Sequence, residues 1–180
     1  MDNTNSDNSK KNINFREILS WILYLGCAVV IALFITRYVV VNAYIPTQSM
    51  APTINPEDKI LANRLQYLVS EPKRGDIVVF KFPDNESVLY VKRVIGLPGD
   101  KVEIKDGKVY INGDIIDEPY IKEEAIGSFG PYNVPQGKYF MMGDNRNNSD
   151  DSRKWKNTYL EREKMLGKAF FKYYPGFKIF

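Results

Sequence analysis

The sequence predicts a mainly β protein in which an antiparallel, barrel-like β-sheet domain follows one transmembrane α-helix. Three observations support this fold class. An uncharged apolar run near the N-terminus is long enough to cross a bilayer. Short segments rich in β-branched and aromatic residues follow it, separated by turn signals, as is typical of antiparallel sheets. Beyond the apolar run, no long segment has the apolar period of a helix.

The apolar run, "ILSWILYLGCAVVIALFIT", covers residues 18–36 and lies between Glu17 and Arg37 without an internal charge. A helix of about 20 apolar residues spans the hydrocarbon core of a membrane. Because the apolar character continues past the run, we assign residues 18–41 to a membrane anchor. A cleaved secretory signal would instead have a shorter apolar core and a small-residue exit site. The polar residues 1–17 are predicted to form a flexible tail.

Basic residues predict the orientation of this anchor. Lys10, Lys11 and Arg16 precede it closely, whereas only Arg37 follows it at close range. Basic residues beside a span favour the cytoplasmic side, and long domains cross the membrane largely regardless of charge. We therefore predict a single-pass protein of the cell membrane, with a cytoplasmic N-terminus and an extracytoplasmic domain over residues 42–180.

Residues 42–180 contain a series of segments that predict β-strands. Asp106-Gly107 separates two of them and is typical of a two-residue hairpin turn, and Asn112-Gly113 predicts a further turn. Residues 158–166 are predicted to form two helical turns at most. The predicted strands are 76–82, 87–95, 101–104, 108–111, 138–142 and 168–174.

The composition excludes several kinds of chemistry. The sequence contains no histidine, which rules out Ser-His-Asp and Cys-His catalysis. A single cysteine, Cys27, cannot form an intramolecular disulfide, and without histidine a transition-metal site is not expected. The net charge of +3, spread along the chain, does not predict nucleic-acid binding. We therefore expect no metal, no cofactor and no nucleic acid.

Ser49 lies between two prolines in "YIPTQSMAPTINPEDKI" (44–60), directly after the anchor, and raises the question of which base could activate it. A lysine acts as a base only when neutral, and burial lowers its ordinary pKa of about 10.4. Lys92 lies in the apolar segment "VLYVKRVIGLPGD" and shares one strand face with Tyr90 and Val94. From this segment alone, a solvent-exposed lysine is the more common arrangement.

Four segments, in this order, resemble the motif boxes of bacterial type I signal peptidases. They follow a single N-terminal anchor, as in the short form typical of Gram-positive bacteria. The resemblance implies a Ser-Lys protease domain with a small cap insertion over about residues 101–136, and it accounts for the missing histidine. The segments are "PTQSMAPTI" (46–54), "RGDIVVF" (74–80), "YVKRVIGLPGD" (90–100) and "MGDNRNNSDDSR" (142–153).

The resemblance also implies catalytic roles. Ser49 matches the nucleophile and Lys92 the general base. Thr47 matches the residue whose hydroxyl joins the backbone N–H of Ser49 in the oxyanion hole. Ser149 matches the serine that hydrogen-bonds the lysine amine and orients it. By itself, Ser149 reads as a turn residue in "DNRNNSDDS".

Further residues of the motif boxes match supporting roles in this family. One set matches ion pairs that hold the boxes together, although Arg146 alone fits a hydrated loop equally well. A second set matches shallow pockets for small substrate side chains, although each member alone reads as a core residue. Two departures from the family are Gln48, where many members have glycine, and Ile54 in place of leucine. The ion-pair set is Arg93, Asp144, Arg146, Asp151 and Arg153, and the pocket set is Met50, Ile54, Tyr90 and Val91.

The resemblance implies a membrane-bound serine endopeptidase that removes signal peptides from exported preproteins by cutting after small residues, at Ala-x-Ala-like sites. The implied partners are signal-peptide-bearing preproteins, the lipid bilayer and the export channel. The alternative is a membrane-tethered β-domain that binds peptides without cleaving them. The intact set of Ser49, Lys92, Thr47 and Ser149 favours the enzyme.

Overall fold

The computed structural model describes residues 15–180. Most of the tail predicted over residues 1–17 therefore lies outside the described residues. The chain divides into two compact units, which meet between Ile35 and Thr36.

The helix of the first unit, α1, covers Phe15–Phe34 and continues as π-helical turns over Ile35–Val39. All apolar side chains of α1 are exposed. The segment Phe15–Val39 contains an 18-residue window with a mean hydropathy of 2.6, and it is the one helix among residues 15–180 that is long and apolar enough to cross a membrane. The predicted anchor covered residues 18–41, whereas in the structure residue 40 already begins a strand.

The second unit confirms the predicted mainly antiparallel β domain, and its short helix α2 covers Gln66–Val69. The strands among the described residues are β1 (Val40–Tyr44), β2 (Lys59–Asn63), β3 (Ile77–Phe82), β4 (Asn85–Gly96), β5 (Lys101–Lys105), β6 (Lys108–Ile111), β7 (Asp114–Ile115), β8 (Phe129–Asn133), β9 (Lys138–Met142), β10 (Leu160–Glu161), β11 (Met165–Tyr174) and β12 (Lys178–Ile179).

Eight of these strands form one antiparallel sheet in the order β1-β2-β11-β3-β4-β9-β10, with β12 beside β11. All six predicted strands are present, with ends that differ by a few residues. Residues 158–166 contain one short 3₁₀ turn, Arg162–Lys164, between β10 and β11. The sequence analysis did not predict β1, β2, β7, β8, β10 or β12. It missed β1 because the apolar residues of this strand continue the apolar run of the anchor without a break.

The other four strands form a small antiparallel sheet, in the order β7-β6-β5-β8. Asp106 and Gly107 connect β5 to β6 with φ angles of 49° and 80°, as the predicted two-residue hairpin turn requires. Asn112 and Gly113 make the next turn with φ angles of 56° and 99°. This small sheet lies within the range 101–136, where the cap insertion was expected.

Strand β3 is buried on both faces, and this decides the environment of its neighbour β4. Val78 belongs to one apolar cluster, and Ile77 belongs to another on the opposite face. In the antiparallel register Lys92 of β4 lies opposite Val78, and Arg93 lies opposite Ile77. Directly opposed residues share a face, so both consecutive basic side chains enter the interior. A third cluster joins the end of β4 to β9 and the small sheet.

Candidate active site

Ser49 lies in the turn that connects β1 to β2, and buried apolar side chains anchor this turn. Met50 and Ile54 are fully buried in the cluster on the Ile77 face of the large sheet. The backbone N–H of Ile54 donates to the carbonyl of Met50 at 2.9 Å, and that of Ala51 donates to the carbonyl of Gln48 at 3.0 Å. Gln48 is not among the described residues with a positive φ, so its backbone conformation does not require glycine.

The amine nitrogen of Lys92 lies 2.6 Å from the hydroxyl oxygen of Ser49. Only 4% of Lys92 and 8% of Ser49 is exposed to solvent. The same amine lies 3.2 Å from the carbonyl oxygen of Val91 and 5.1 Å from the centre of the Tyr90 ring. A lysine and a serine far apart in the sequence therefore form a buried hydrogen-bonded pair.

Burial lowers the pKa of Lys92 from 10.5 to about 8. Desolvation is the largest influence because it disfavours the charged ammonium. The carboxylates of Asp151, Asp150 and Asp144 act in the opposite direction and keep the value from falling further. A pKa near 8 leaves a useful fraction of the amine neutral at physiological pH, so Lys92 can accept a proton there.

Thr47 contacts the nucleophile directly, whereas Ser149 is buried in the loop after β9. The hydroxyl of Thr47 lies 3.3 Å from that of Ser49, within reach of an oxyanion that forms beside it. The hydroxyl of Ser149 is buried and forms no well-aligned hydrogen bond with residues 15–180, although it lies near enough to Asp151 to help lower the pKa of that carboxyl. The expected bond from Ser149 to the Lys92 amine is not formed here. Burying a hydroxyl without a well-aligned hydrogen bond costs free energy. The hydroxyl of Ser149 can therefore form a hydrogen bond with a group that enters the site.

Asn145 holds the nucleophile turn, a role that the sequence analysis did not assign. Its backbone N–H donates to the carbonyl of Ser49 at 3.1 Å, and its side-chain amide donates to the carbonyl of Gln48 at 3.2 Å. Only 3% of Asn145 is exposed. The preference of asparagine side chains for nearby backbone groups in turns is a general signal, but the sequence does not show that the partner turn is the distant one at 48–49.

Gly143 explains how the loop after β9 approaches the nucleophile so closely. A Cβ atom on this residue would overlap with the carbonyl oxygen of Ser49 and with the hydroxyl of Ser149, and would lie 2.7 Å from the Cβ of Ser149. Only glycine leaves room for the two backbones to meet. The N–H of Gly143 donates to Asp151 at 3.1 Å, which fixes the peptide at this point.

Ion pairs connect the loop after β9 to the rest of the site. Arg93 donates to both carboxylate oxygens of Asp144 at 2.8 and 2.6 Å. Arg153 donates to both oxygens of Asp151 at 2.8 Å and to the carbonyl of Arg146 at 2.6 Å. Four of the five residues of the expected ion-pair set are therefore paired with one another.

Arg146, the fifth member, has a partner that the sequence analysis missed. Its guanidinium donates to both carboxylate oxygens of Glu118, in the insertion that carries the small sheet, at 2.8 and 2.6 Å. Arg146 also donates to the carbonyl of Gly143 at 3.1 Å and is fully buried, so it does not lie in a hydrated loop. No motif in the sequence marks Glu118.

A cleft of 380 Å³ opens beside Ser49. Residues 44–50 form one wall and residues 88–92 of β4 form the other, with Asn148 and Asp150 at the rim. Of the expected pocket set, Met50, Tyr90 and Val91 line the cleft, whereas Ile54 does not and lies in the core with Met50.

The cleft wall formed by β4 has a free edge. Strand β9 pairs with β4 only over Arg93–Gly96. Over residues 88–92 the side of β4 that faces away from β3 therefore has no strand partner in the described part of the chain. An extended peptide could hydrogen-bond along this edge as an additional strand.

The chain is similar to several known proteins. A family model described as "Signal peptidase, peptidase S26" matches residues 18–174. The chain is 42% identical to the probable signal peptidase I-2 of Synechocystis sp., over 82% of this chain and 69% of that protein. It is 38% identical to signal peptidase I S of Bacillus subtilis, over 89% of this chain and 91% of that protein. A crystal structure of a signal peptidase I from Enterococcus faecalis V583, 34% identical, matches 56% of this chain and 97% of that chain with a TM-score of 0.49.

Proposed function

Because this chain belongs to the signal peptidase family, peptidase S26, we propose that it is a membrane-bound serine endopeptidase that removes N-terminal signal peptides from exported preproteins. The observation that carries this proposal is the 2.6 Å contact between the Ser49 hydroxyl and the buried amine of Lys92. A tethered domain that only binds peptides would not need a desolvated lysine against a serine hydroxyl, so the non-catalytic alternative is not favoured.

The substrate binds as an extended segment along the free edge of β4, with its scissile carbonyl at Ser49. Small residues before the cut fit a cleft whose walls at Met50, Tyr90 and Val91 are apolar and close to the nucleophile. These contacts favour Ala-x-Ala-like sites, because larger side chains would collide with the walls.

In the first step, neutral Lys92 takes the hydroxyl proton of Ser49 while its oxygen attacks the carbonyl carbon. The N–H of Ser49 and the hydroxyl of Thr47 donate to the oxygen that becomes negative. The ammonium of Lys92 then gives its proton to the departing amine, and the C–N bond breaks. In the second step, neutral Lys92 takes a proton from water, whose oxygen attacks the acyl carbon. The bond from that carbon to the Ser49 oxygen then breaks, Lys92 returns the proton to this oxygen, and the signal peptide is released with a free carboxyl group.

Ser149 acts as a positioning residue in this mechanism. Its hydroxyl is buried without a well-aligned hydrogen bond, one residue before Asp150 and two before Asp151, whose charges reach Lys92. When substrate fills the cleft, rotation of the Ser149 hydroxyl toward the amine satisfies both groups and holds the amine on Ser49.

The layout along the chain follows the same proposal. Residues 1–17 form a cytoplasmic tail, residues 18–41 anchor the protein, and residues 42–180 form the extracytoplasmic catalytic domain with a cap over about 101–136. The basic residues before the span support this orientation. The anchor confines the site to the bilayer surface, where the apolar segments of substrates raise their effective concentration. The lipid bilayer and the export channel are accordingly proposed partners.

Cleavage of a secreted preprotein in detergent tests the proposal directly. Ser49→Ala and Lys92→Met are expected to lose about a thousandfold or more in kcat/KM, since each removes one half of the reacting pair. Lys81→Ala is the matched control, because Lys81 is an exposed lysine on the neighbouring strand β3. Cleavage at the wild-type rate by both site variants would exclude the dyad.

A further inference from the structure

Asp150 occupies an unusual position at the rim of the cleft. It is exposed, although the residues on both sides of it, Ser149 and Asp151, are buried. Among the described residues, only two with a charged side chain line the cleft, Lys92 and Asp150. Since Lys92 is buried against Ser49, Asp150 is the exposed charged side chain that a peptide bound in the cleft can contact.

The carboxylate of Asp150 is held in place from the opposite wall. The hydroxyl of Tyr90 donates to one of its oxygens at 3.0 Å. The Tyr90 ring stacks on Phe82 with a centroid distance of 4.4 Å and an interplanar angle of 6°, and its edge contacts Trp155 at 6.1 Å. Burial, reinforced by Asp150, raises the pKa of Tyr90 to about 12, so the hydroxyl remains a donor.

Asp150 has no cationic partner among residues 15–180. By contrast, the buried and half-buried carboxylates of the site, Asp144, Asp151 and Glu118, are each paired with an arginine. The second oxygen of Asp150 accepts no hydrogen bond from the described residues. The cleft thus presents a fixed, unpaired negative charge beside apolar walls.

We infer that Asp150 is a specificity-determining residue, which selects substrates that carry a basic side chain next to the small residues at the cleavage site. An ammonium or guanidinium that extends from a peptide on the β4 edge completes the ion pair that Asp150 lacks. An acidic side chain at the same position is repelled. This inference rests on the proposed function, because it requires the peptide to lie in this cleft.

A charge scan of peptide substrates tests the inference. The peptides keep alanine at the first and third positions before the cut and carry Lys, Gln or Glu in turn at the second position before it and at each of the first three after it. At the position that faces Asp150, the wild-type protein is expected to cleave the Lys peptide about fivefold faster in kcat/KM than the Glu peptide. Raising the salt from about 0.05 M to about 0.5 M shrinks this ratio.

Three variants test whether the preference for a basic side chain depends on Asp150. Asp150→Asn is expected to bring the Lys-to-Glu ratio close to one, and Asp150→Lys is expected to invert it. Asp114→Asn removes the same charge from an exposed position in β7, outside the cleft, and should keep the wild-type ratio. Melting temperatures of the variants confirm that all of them are folded.

Two results would overturn the inference. One is a wild-type ratio close to one at all four positions, and the other is an unchanged ratio in Asp150→Asn. Failure of the proposed function gives a different result, because the wild-type protein would then cleave none of the peptides, or Ser49→Ala would cleave them as fast as the wild type.

Discussion

The guanidinium of Arg146 meets both carboxylate oxygens of Glu118 at 2.8 and 2.6 Å, and this buried pair ties the loop that carries Asn145 and Ser149 to the small-sheet insertion. The side chains are 0% and 6% exposed. The insertion therefore supports the active site from a distance, and this ion pair, which water does not screen, adds to hydrogen bonds between Asn147 and residues 124 and 126 of the insertion.

Removing one partner of this pair is expected to destabilise the protein more than removing both. Arg146→Ala or Glu118→Ala leaves a buried charge unpaired, which costs about 3–5 kcal/mol in the free energy of unfolding. The double variant leaves no charge unpaired and should lose less than either single variant does. Urea unfolding of the four proteins measures the coupling. The exposed pair Lys138–Glu161 is the control, since such pairs contribute about 1 kcal/mol or less.

The pH dependence of cleavage should report the amine of Lys92. With its pKa at about 8, kcat/KM rises from neutral to alkaline pH and levels off above that value as the amine loses its proton. The charges that face this amine are Asp151, Asp150 and Asp144, and each raises its pKa. Asp150→Asn should therefore move the rise to lower pH. A wild-type profile that is flat between about pH 5 and about pH 9 would contradict a lysine base.

The free energy of unfolding should also increase with pH, because the amine of Lys92 has a lower pKa in the fold than in the unfolded chain. The pKa of Lys92 falls from 10.5 when exposed to about 8 in the fold. Between these values the unfolded chain binds more protons than the folded one, so the free energy of unfolding increases with pH. Lys92→Met removes this dependence and is expected to be more stable than the wild type at pH 7, by on the order of 2 kcal/mol, although inactive. Denaturant unfolding at pH 7, 8 and 10 measures the difference.

Asn145 is expected to act on the rate of cleavage more than on stability. Asn145→Ala keeps the backbone bond to the carbonyl of Ser49 but loses the side-chain bond to the carbonyl of Gln48. The nucleophile turn then moves by a fraction of an ångström, which should lower kcat about tenfold or more. Asn147→Ala is the control because it removes side-chain bonds to the backbone away from the nucleophile, one donated to the carbonyl of Glu124 at 3.0 Å and one accepted from the N–H of Ile126 at 2.8 Å. Equal kcat losses in the two variants would refute a positioning role.

Asp151→Ala should lose activity because the site no longer folds correctly. Burial raises the pKa of Asp151, but hydrogen bonds from Arg153 and from the N–H of Gly143 outweigh it and hold the value below 3.8. The stabilisation from this carboxylate is therefore complete above its unfolded pKa and disappears as the pH falls through the folded one. The variant should lose about 3–5 kcal/mol at pH 6, and the deficit should shrink in acid. An inactive variant with the wild-type melting temperature would show that Asp151 is not a scaffold residue.

Much of the fold follows from local sequence patterns. Alternating apolar residues and turn pairs such as Asp106-Gly107 predict strands and hairpins because both depend on neighbouring residues alone. The missed strand β1 continues an apolar run, and only its pairing with β2 separates it from the anchor. Glu118 and Asn145 were also missed, since their roles depend on partners that lie 28 and 97 residues away in the sequence.

The sequence by itself determined that a serine nucleophile here must be activated without imidazole, because the chain has no histidine. It also determined that Lys92 and Arg93 point to opposite faces of one strand, since side chains alternate along a strand. Only the tertiary structure decided that both faces of β4 are shielded from solvent at Lys92 and Arg93. It also decided that Lys92 forms a hydrogen bond with Ser49, which lies 43 residues earlier in the chain. Desolvation is a property of the packed sheet and not of any segment, so the lowered pKa of Lys92 arises only once β3, β4 and the turn at Ser49 have come together.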